Sequence, residues 1–235
     1  MEKDAGTIFF DLDGTLADTS EDIYESLNKT LEKFQIDQVP FDVVVDFIGD
    51  GVRPLIRKIL DYLKRTNEEE EIVGDFIRNY RIGISKKTYI YPEVIDLIYS
   101  LKSLRIKVIL LTNKIESLTI KLLSELCILN IFDGIVSGDT FDVKKPSAGL
   151  LDRIKSRYEI NYPIFVIGDG LNDLLFAENT GAIFFLSKWG FPTKKAEEYI
   201  KQNQIKNNIY ITSEPSEVIQ IVKNIIKKDR SSCFR

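Results

Sequence analysis

The chain has 235 residues, 44% of them hydrophobic and 29% charged, which suits a soluble globular protein of one large domain or one domain carrying a smaller insertion. Its net charge of −4 argues against nucleic acid as a partner, and no run reaches the roughly 18 apolar residues of a membrane span. It contains no histidine, which removes Ser-His-Asp and Cys-His catalysis and His-ligated zinc together.

Chemistry is therefore left to carboxylates, lysines, hydroxyls and an oxygen-bound metal. Cys127 and Cys233 lie far apart and make neither a metal spacing nor a disulfide framework, the pattern of reduced thiols in a cytoplasmic protein. Met1–Asp4 runs straight into a short apolar segment, unlike a secretory signal.

Taken in chain order, Thr7–Phe10 predicts a buried strand that ends in Asp11-Leu12-Asp13-Gly14-Thr15. From Thr19 to Lys87 the pattern is helical: Ile23–Phe34, Val43–Ile48, Val52–Leu63 and Glu68–Ile84, with Glu68–Glu71 read as a solvated helix start. Strands and helices then alternate. Helix Val94–Leu104 precedes strand Ile106–Leu111, and helix Leu118–Leu129 precedes strand Gly134–Val136. Helix Ser147–Tyr158 precedes strand Ile164–Ile167, and Asp173–Asn179 precedes strand Ala182–Leu186. Helix Thr193–Gln202, strand Ile209–Thr212 and helix Ser216–Ile226 follow, with a polar tail from Lys227 expected to fray. This alternation predicts an α/β fold, a parallel sheet covered on both faces, with a helical domain inserted after the first strand.

Four motifs stand at strand ends. In Asp11-Leu12-Asp13-Gly14-Thr15 the two carboxylates are two residues apart, so an extended chain presents them on one side. Side by side they repel, and a hard cation such as Mg²⁺ relieves that. The blander alternative is an acidic turn. Thr112-Asn113-Lys114 suits a phosphate oxygen at a strand-to-helix turn, or else a helix N-cap. Lys144-Lys145-Pro146 offers a point charge to a phosphate, or else two solvated lysines before a helix. Gly168-Asp169-Gly170-Leu171-Asn172-Asp173 adds two carboxylates four residues apart, on adjacent positions if the helix starts there, and these could complete a Mg²⁺ site. Each alternative is reasonable alone; four such turns, each closing an apolar strand, argue for a site.

With these motifs the sequence resembles the haloacid dehalogenase superfamily of phosphohydrolases over nearly the whole chain. Within it, Leu16-Ala17-Asp18-Thr19, Gly49-Asp50-Gly51, Thr112-Asn113-Lys114 and Trp189-Gly190 resemble the phosphoglycolate phosphatase group. The resemblance implies a Rossmann-like core from residues 1–18 and 87–235 and a helical cap from residues 19–86. It also implies roles. Asp11 is the nucleophile that forms an aspartyl-phosphate, and Asp13 the acid and then the base. Thr112, Asn113 and Lys145, the lysine next to the proline, hold the phosphoryl oxygens. Asp11, the Asp13 backbone carbonyl and Asp169 bind Mg²⁺, and Asp173 orients the site from beyond those ligands.

The cap is expected to select the substrate, with Gly49-Asp50-Gly51-Val52-Arg53 facing the site and Arg53 able to pair with a substrate carboxylate, or else to lie exposed after a turn. Leu16–Asp18 and Lys86–Thr88 are the expected hinges. The resemblance points to a phosphatase acting on a small phosphorylated metabolite, phosphoglycolate favoured, in a monomer or homodimer that binds neither nucleic acid nor membrane. The alternatives on the same fold are a pyrophosphatase, a phosphomutase, disfavoured by Thr15, and a non-catalytic phosphate-binding protein.

Overall fold

The computed structural model describes residues 4–65, 69–205 and 207–232, with side chains described as far as Lys227. Glu68 of the acidic run and Cys233 lie outside the described residues.

The order of the main sheet follows from where the apolar runs fall. Six parallel strands pair in the order β5-β4-β1-β6-β7-β8. They are β1 (Gly6–Phe10), β4 (Ile106–Leu111), β5 (Gly134–Val136), β6 (Ile164–Gly168), β7 (Ile183–Ser187) and β8 (Ile209–Thr212). β1 is central, pairing with β4 on one side (Phe10 with Leu110) and β6 on the other (Phe10 with Ile167). The chain builds outward one way through β4 and β5, then returns to build the other way through β6, β7 and β8. The strand order therefore reverses beside β1, and its carboxyl end opens on the crevice where such sheets bind ligands.

Alternate residues of each strand feed different faces, the period-2 geometry of a strand. Ile8, Phe10, Val108, Leu110, Phe165 and Ile167 enter one hydrophobic cluster, whereas Phe9, Ile109, Leu111 and Val166 enter the other. Helices α5 (Val94–Ser103), α6 (Glu116–Glu125) and α10 (Pro215–Ser232) bury their apolar stripes in the first cluster. Helices α7 (Gly149–Arg157), α8 (Leu171–Thr180) and α9 (Lys194–Gln202) cover the second. Both faces are thus closed, as near-continuous apolar strands require.

Between β1 and β4 the helices α1 (Ser20–Lys33), α2 (Phe41–Phe47), α3 (Val52–Tyr62) and α4 (Glu69–Gly83) pack on one another as a cap. Spacings of three and four explain it: Ile23, Leu27 and Leu31 of α1, Leu55, Ile56 and Ile59 of α3, and Ile72, Val73, Phe76 and Tyr80 of α4 are buried. Their cluster is continuous with the first core cluster, and α4 touches α6.

Three features differ from the sequence pattern. Ala17–Asp18 (β2) and Tyr89–Ile90 (β3) pair antiparallel, too short for any alternation to reveal. The outgoing and returning crossings between core and cap are therefore zipped together. Buried Asp22 reinforces them, accepting from the Lys87 and Thr88 backbone N–H groups and the Thr88 hydroxyl. Helix α6 ends at Glu125 rather than Leu129, and Cys127 beyond it takes φ 58°. Helix α10 runs on to Ser232, so the segment from Lys227 to there is helical rather than frayed. Among the described residues no helix is long and apolar enough to cross a membrane.

Candidate active site

The site forms where β1 and β6 end. Asp11 follows β1 directly and its backbone N–H still bonds to the Ile167 carbonyl, so the sheet fixes its position. Leu12 then turns inward while the chain loops back, Gly14 N–H bonding to Ala17 O. Gly14 has φ 79°, and a Cβ there would lie 2.5 Å from Asp169 Oδ2 and 2.6 Å from the Phe191 ring. The loop is held from beneath by Trp189, whose Nε1 donates to the Thr15 carbonyl at 3.0 Å. Gly190 approaches so closely that a Cβ there would fall 1.6 Å from Gly14 O.

Asp169 follows β6, and Asp173 sits in the first turn of α8. The helix begins at Leu171, so the pair meets across a strand-to-helix turn, not along one helix face as the four-residue spacing suggests. Gly168 makes room: a Cβ there would strike the Asp173 carboxylate at 2.3 Å. Asp173 Oδ2 accepts from Gly170 N–H, and Asp169 Oδ1 accepts from the Thr15 hydroxyl at 3.1 Å.

Two buried lysines enter from opposite sides. Lys145 Nζ donates to Asp11 Oδ1 at 2.7 Å and to Asp173 Oδ1 at 2.5 Å. Lys114 Nζ lies 2.9 Å from Asp13 Oδ1 and donates to the Tyr80 hydroxyl of α4 at 3.0 Å. Thr19 also donates to Asp13 Oδ1, at 2.7 Å. Lys144 points elsewhere, to the Asp50 carbonyl of the cap at 2.6 Å. The structure thus separates the adjacent lysines, which local sequence leaves equivalent.

Thr112 and Asn113 line the same space. Thr112 Oγ1 accepts from Lys114 N–H, and α6 is capped at Ile115, so neither Thr112 nor Asn113 is spent as its N-cap. The Asn113 amide donates to Gly49 O and to Lys145 O, leaving its buried Oδ1 with no partner among the described residues. Gly138 backs this turn, since a Cβ there would fall 2.2 Å from Asn113 O.

The electrostatics follow from crowding. Burial, then the Asp173 charge, raise Asp11 to about 7 against the pull of Lys145. Asp169 is pushed well above the carboxylate range by burial and by Asp11 and Asp173. Burial works to lower both lysines, but attraction to their carboxylates outweighs it and holds each above its ordinary value. Were all four carboxylates ionised, Asp11, Asp13, Asp169 and Asp173 would face two ammonium groups with two negative charges unmatched, which is why Asp11 and Asp169 hold their protons so strongly. Oxygens of Asp11, Asp169 and Asp173 lie within 4.8 Å of one another. An all-oxygen donor set with two surplus charges fits one hard divalent cation. Thr19 and Lys114 both engage Asp13 Oδ1, which holds that side chain on the cap side of the loop.

Two spaces meet at Asp11 and Asp13. One, of about 40 Å³, runs beneath the cap between Ile23, Ile48, Val52, Leu55, Phe76 and Leu118, with Tyr80, Thr112, Asn113 and Lys114 as its polar wall. The other, of about 600 Å³, is a polar cleft past Asp169, Asn172 and Asp173 toward Lys194. The Gly49–Gly51 loop divides them. Besides its bonds from Asn113 and Lys144, Asp50 Oδ1 accepts from Asn172 at 2.5 Å, and its other oxygen pairs with Lys58. Burial opposes, but these partners keep the Asp50 carboxyl below its ordinary value.

Arg53 lines neither space. Helix α3 buries Leu55, Ile56, Ile59 and Leu60, which turns Arg53 and Arg57 to the exposed face, where they fork onto Glu70 and Glu69. At the site, Tyr80 with Lys114 and the Asp50 loop make the polar contacts between cap and core instead. Tyr80 reads in sequence as one more apolar position of α4.

With this geometry in hand, the sequence matches the family model for haloacid dehalogenase-like hydrolases across residues 8–186. It is 34% identical to a phosphoglycolate phosphatase of Aquifex aeolicus over 93% of this chain and 97% of that protein. It is 33% identical to a phosphoglycolate phosphatase of Agrobacterium fabrum over 72% of this chain and 75% of that protein. A crystal structure of a predicted phosphoglycolate phosphatase from Haemophilus somnus superposes with a TM-score of 0.80, at 22% identity, covering 92% of this chain and 97% of that one.

Proposed function

This chain belongs to the haloacid dehalogenase-like hydrolase family, and from that premise we propose that it is a Mg²⁺-dependent phosphatase of small phosphorylated metabolites that works through an aspartyl-phosphate. The observation that carries the reading is the convergence of Asp11, Asp13, Lys145, Asp169 and Asp173 at the ends of the two central strands.

Asp11, Asp169 and the Asp13 carbonyl are the residues that would hold Mg²⁺, with Asp173, whose oxygens accept from Lys145 and Gly170 N–H, orienting the site beside them; the ion when bound neutralises charge on the carboxylates and on the phosphoryl group. Asp11 attacks phosphorus through a carboxylate oxygen while the bond to the ester oxygen breaks. Asp13 gives its proton to that departing oxygen, releasing the alcohol. It then takes a proton from water as the water attacks phosphorus, and the acyl phosphate opens to free Asp11 and inorganic phosphate. Lys145 and the Thr112 and Asn113 turn steady the phosphoryl oxygens, where charge concentrates in transfer. The Thr19 hydroxyl on Asp13 Oδ1 keeps that carboxyl aimed through both halves of the cycle.

The named activity of the Aquifex and Agrobacterium relatives supports 2-phosphoglycolate as the leading substrate. Two features of this chain agree with a small leaving group: the narrow space beneath the cap, and lysine rather than extended polar surface at its end. A domain boundary near residues 18 and 87, where β2 and β3 are zipped together, would let the cap swing as a unit.

The test is phosphate release from a panel of phosphomonoesters and pyrophosphate, with and without Mg²⁺, for wild type and Asp11→Asn. Mg²⁺-dependent release that falls by about 10⁴-fold or more in the variant is expected. No release from any compound by the folded, Mg²⁺-loaded protein would overturn the reading.

A further inference from the structure

We propose that the Lys114 ammonium and the Tyr80 hydroxyl together form the anion-recognising end of the leaving-group pocket, selecting a short phosphate ester whose alcohol carries a carboxylate. The inference rests on the phosphatase reading above and assigns the specificity of that site to one core and one cap residue.

The geometry starts from Asp13. If Asp13 protonates the departing oxygen, the rest of the alcohol extends from there. On the cap side, that is the space of about 40 Å³ in which Asp13, Tyr80 and Lys114 share a wall. At roughly 10–15 Å³ for each water-sized atom, it holds about three to four. A carboxymethyl group is of that size, whereas a sugar or nucleoside is far larger. The apolar wall, Ile23, Ile48, Val52, Leu55, Phe76 and Leu118, offers a methylene a surface and a carboxylate nothing, while the other polar groups, Thr112 and Asn113, belong to the phosphoryl end.

The polar end has capacity to spare. An ammonium carries three N–H donors. Lys114 directs one at Asp13 and one at Tyr80, and among the described residues the third has no partner. Tyr80 accepts from Lys114, so its own O–H is left to donate, again with no acceptor among the described residues. Buried donors are almost always satisfied, and two unspent donors on adjoining groups in one small cavity match the two oxygens of a carboxylate. Lys145 also has a third donor, but both its partners are carboxylates, no second donor adjoins it, and in the phosphatase reading that donor serves the phosphoryl group. Arg53 is turned to the exposed face, committed to Glu70.

The pair also spans the boundary. Lys114 comes from the core and Tyr80 from α4 of the cap, with the ammonium 4.6 Å from the phenol ring centre. An anion held by both fastens cap to core, so the substrate that is recognised also holds the site shut over the phosphoryl group.

The experiment compares kcat/KM for 2-phosphoglycolate and for ethyl phosphate, its neutral counterpart, in the Mg²⁺-loaded wild type, Lys114→Met, Lys114→Arg and Tyr80→Phe. Any damage to Asp13 from losing Lys114 acts on both esters, so it cancels in the ratio. Wild type is expected to prefer 2-phosphoglycolate. Lys114→Met should cut that preference by about 100-fold, mostly through KM, and Lys114→Arg should recover part of it. Tyr80→Phe, which removes one oxygen and preserves the buried ring, should cut it by about 10-fold and decides the matter should Lys114→Met not fold. Equal loss on both esters through kcat, or an unchanged preference in Tyr80→Phe, overturns the proposal and leaves Lys114 as the partner of Asp13 alone. A wild type that hydrolyses ethyl phosphate as well as 2-phosphoglycolate overturns it while sparing the phosphatase reading. A wild type that hydrolyses neither brings down both.

Discussion

Lys145 and Lys114 invite comparison, because each is a buried ammonium set against one carboxylate of the same short loop. Around Lys145 everything belongs to the core: Asp11 after β1 and Asp173 on α8, both anions, with Asp169 close by. Around Lys114 one partner is an anion of the core and the other a neutral phenol of the cap. The first surroundings are short of positive charge and fixed; the second have donors to spare and divide when the cap moves. On the proposed reading, one side holds a metal and a phosphoryl group common to every substrate, and the other tells substrates apart.

The comparison is broken most directly by removing each lysine in turn. Lys145→Met strips the cation from two buried carboxylates, an uncompensated charge that costs about 3–5 kcal/mol where a buried pair is broken. Activity should fall by about 10³-fold on every ester alike. Lys114→Met leaves Asp13 its Thr19 hydroxyl and should cost less. Thermal melts without Mg²⁺ check the difference: about 3 kcal/mol is roughly 6–12 °C in a chain of this size. Equal drops in the two variants would mean that the two sides do not differ as described.

The charge surplus on the Lys145 side makes a second prediction. Asp11 has a folded value raised from 3.8 to about 7, so the folded metal-free protein prefers it protonated. The resulting penalty is absent below the unfolded value near 4, grows as pH rises through that window, and is complete above about 7. Asp11→Asn removes the charge at little change in volume. It should stabilise the metal-free protein at pH 8 by about 1–3 kcal/mol and lose that advantage by pH 4. Adding Mg²⁺ should raise the melting temperature of wild type more than that of the variant. An Asp11→Asn protein less stable than wild type at pH 8 would contradict the surplus.

How much of this was legible in the sequence depends on the range over which each feature is encoded. The parallel strands are short uninterrupted apolar runs, and the Asp11 loop and the Asp169 turn each lie within six residues, so fold class and the carboxylates that cluster at the strand ends could be read directly. Strands β2 and β3 have two residues each, too few for any period to show. The meeting of Asp169 with Asp173 was legible as a spacing, but its geometry was not, because the helix starts at Leu171. Tyr80 and Lys114 are 34 residues apart, and no local pattern links a buried aromatic on a helix stripe to a lysine after a strand. Arg53 went the other way: its charge and its glycine-flanked loop suggested the site, but the apolar period of α3 turns it outward.

The smallest predicted effect concerns the loop between the two spaces. Gly51, at φ 91°, lies so close that a Cβ would come within 2.8 Å of Asn113 O, and Asp50 is tied to the core by Asn172 and by Lys144. Asn172→Ala removes the amide that donates to Asp50 Oδ1 and Gly49 O and leaves Asp50 its Lys58 partner, a loss of about 1 kcal/mol. Because the seam closes over the Lys114 side, the loss should appear as a KM raised about 5-fold with kcat nearly unchanged, and larger for 2-phosphoglycolate than for ethyl phosphate. Asn172 also borders the Asp169 cleft, so its loss could instead act on the metal side. In that case kcat falls equally for both esters and the Mg²⁺ concentration needed for half-maximal rate rises. The substrate ratio and the Mg²⁺ titration of this one variant thus report which of the two lysine surroundings the loop serves.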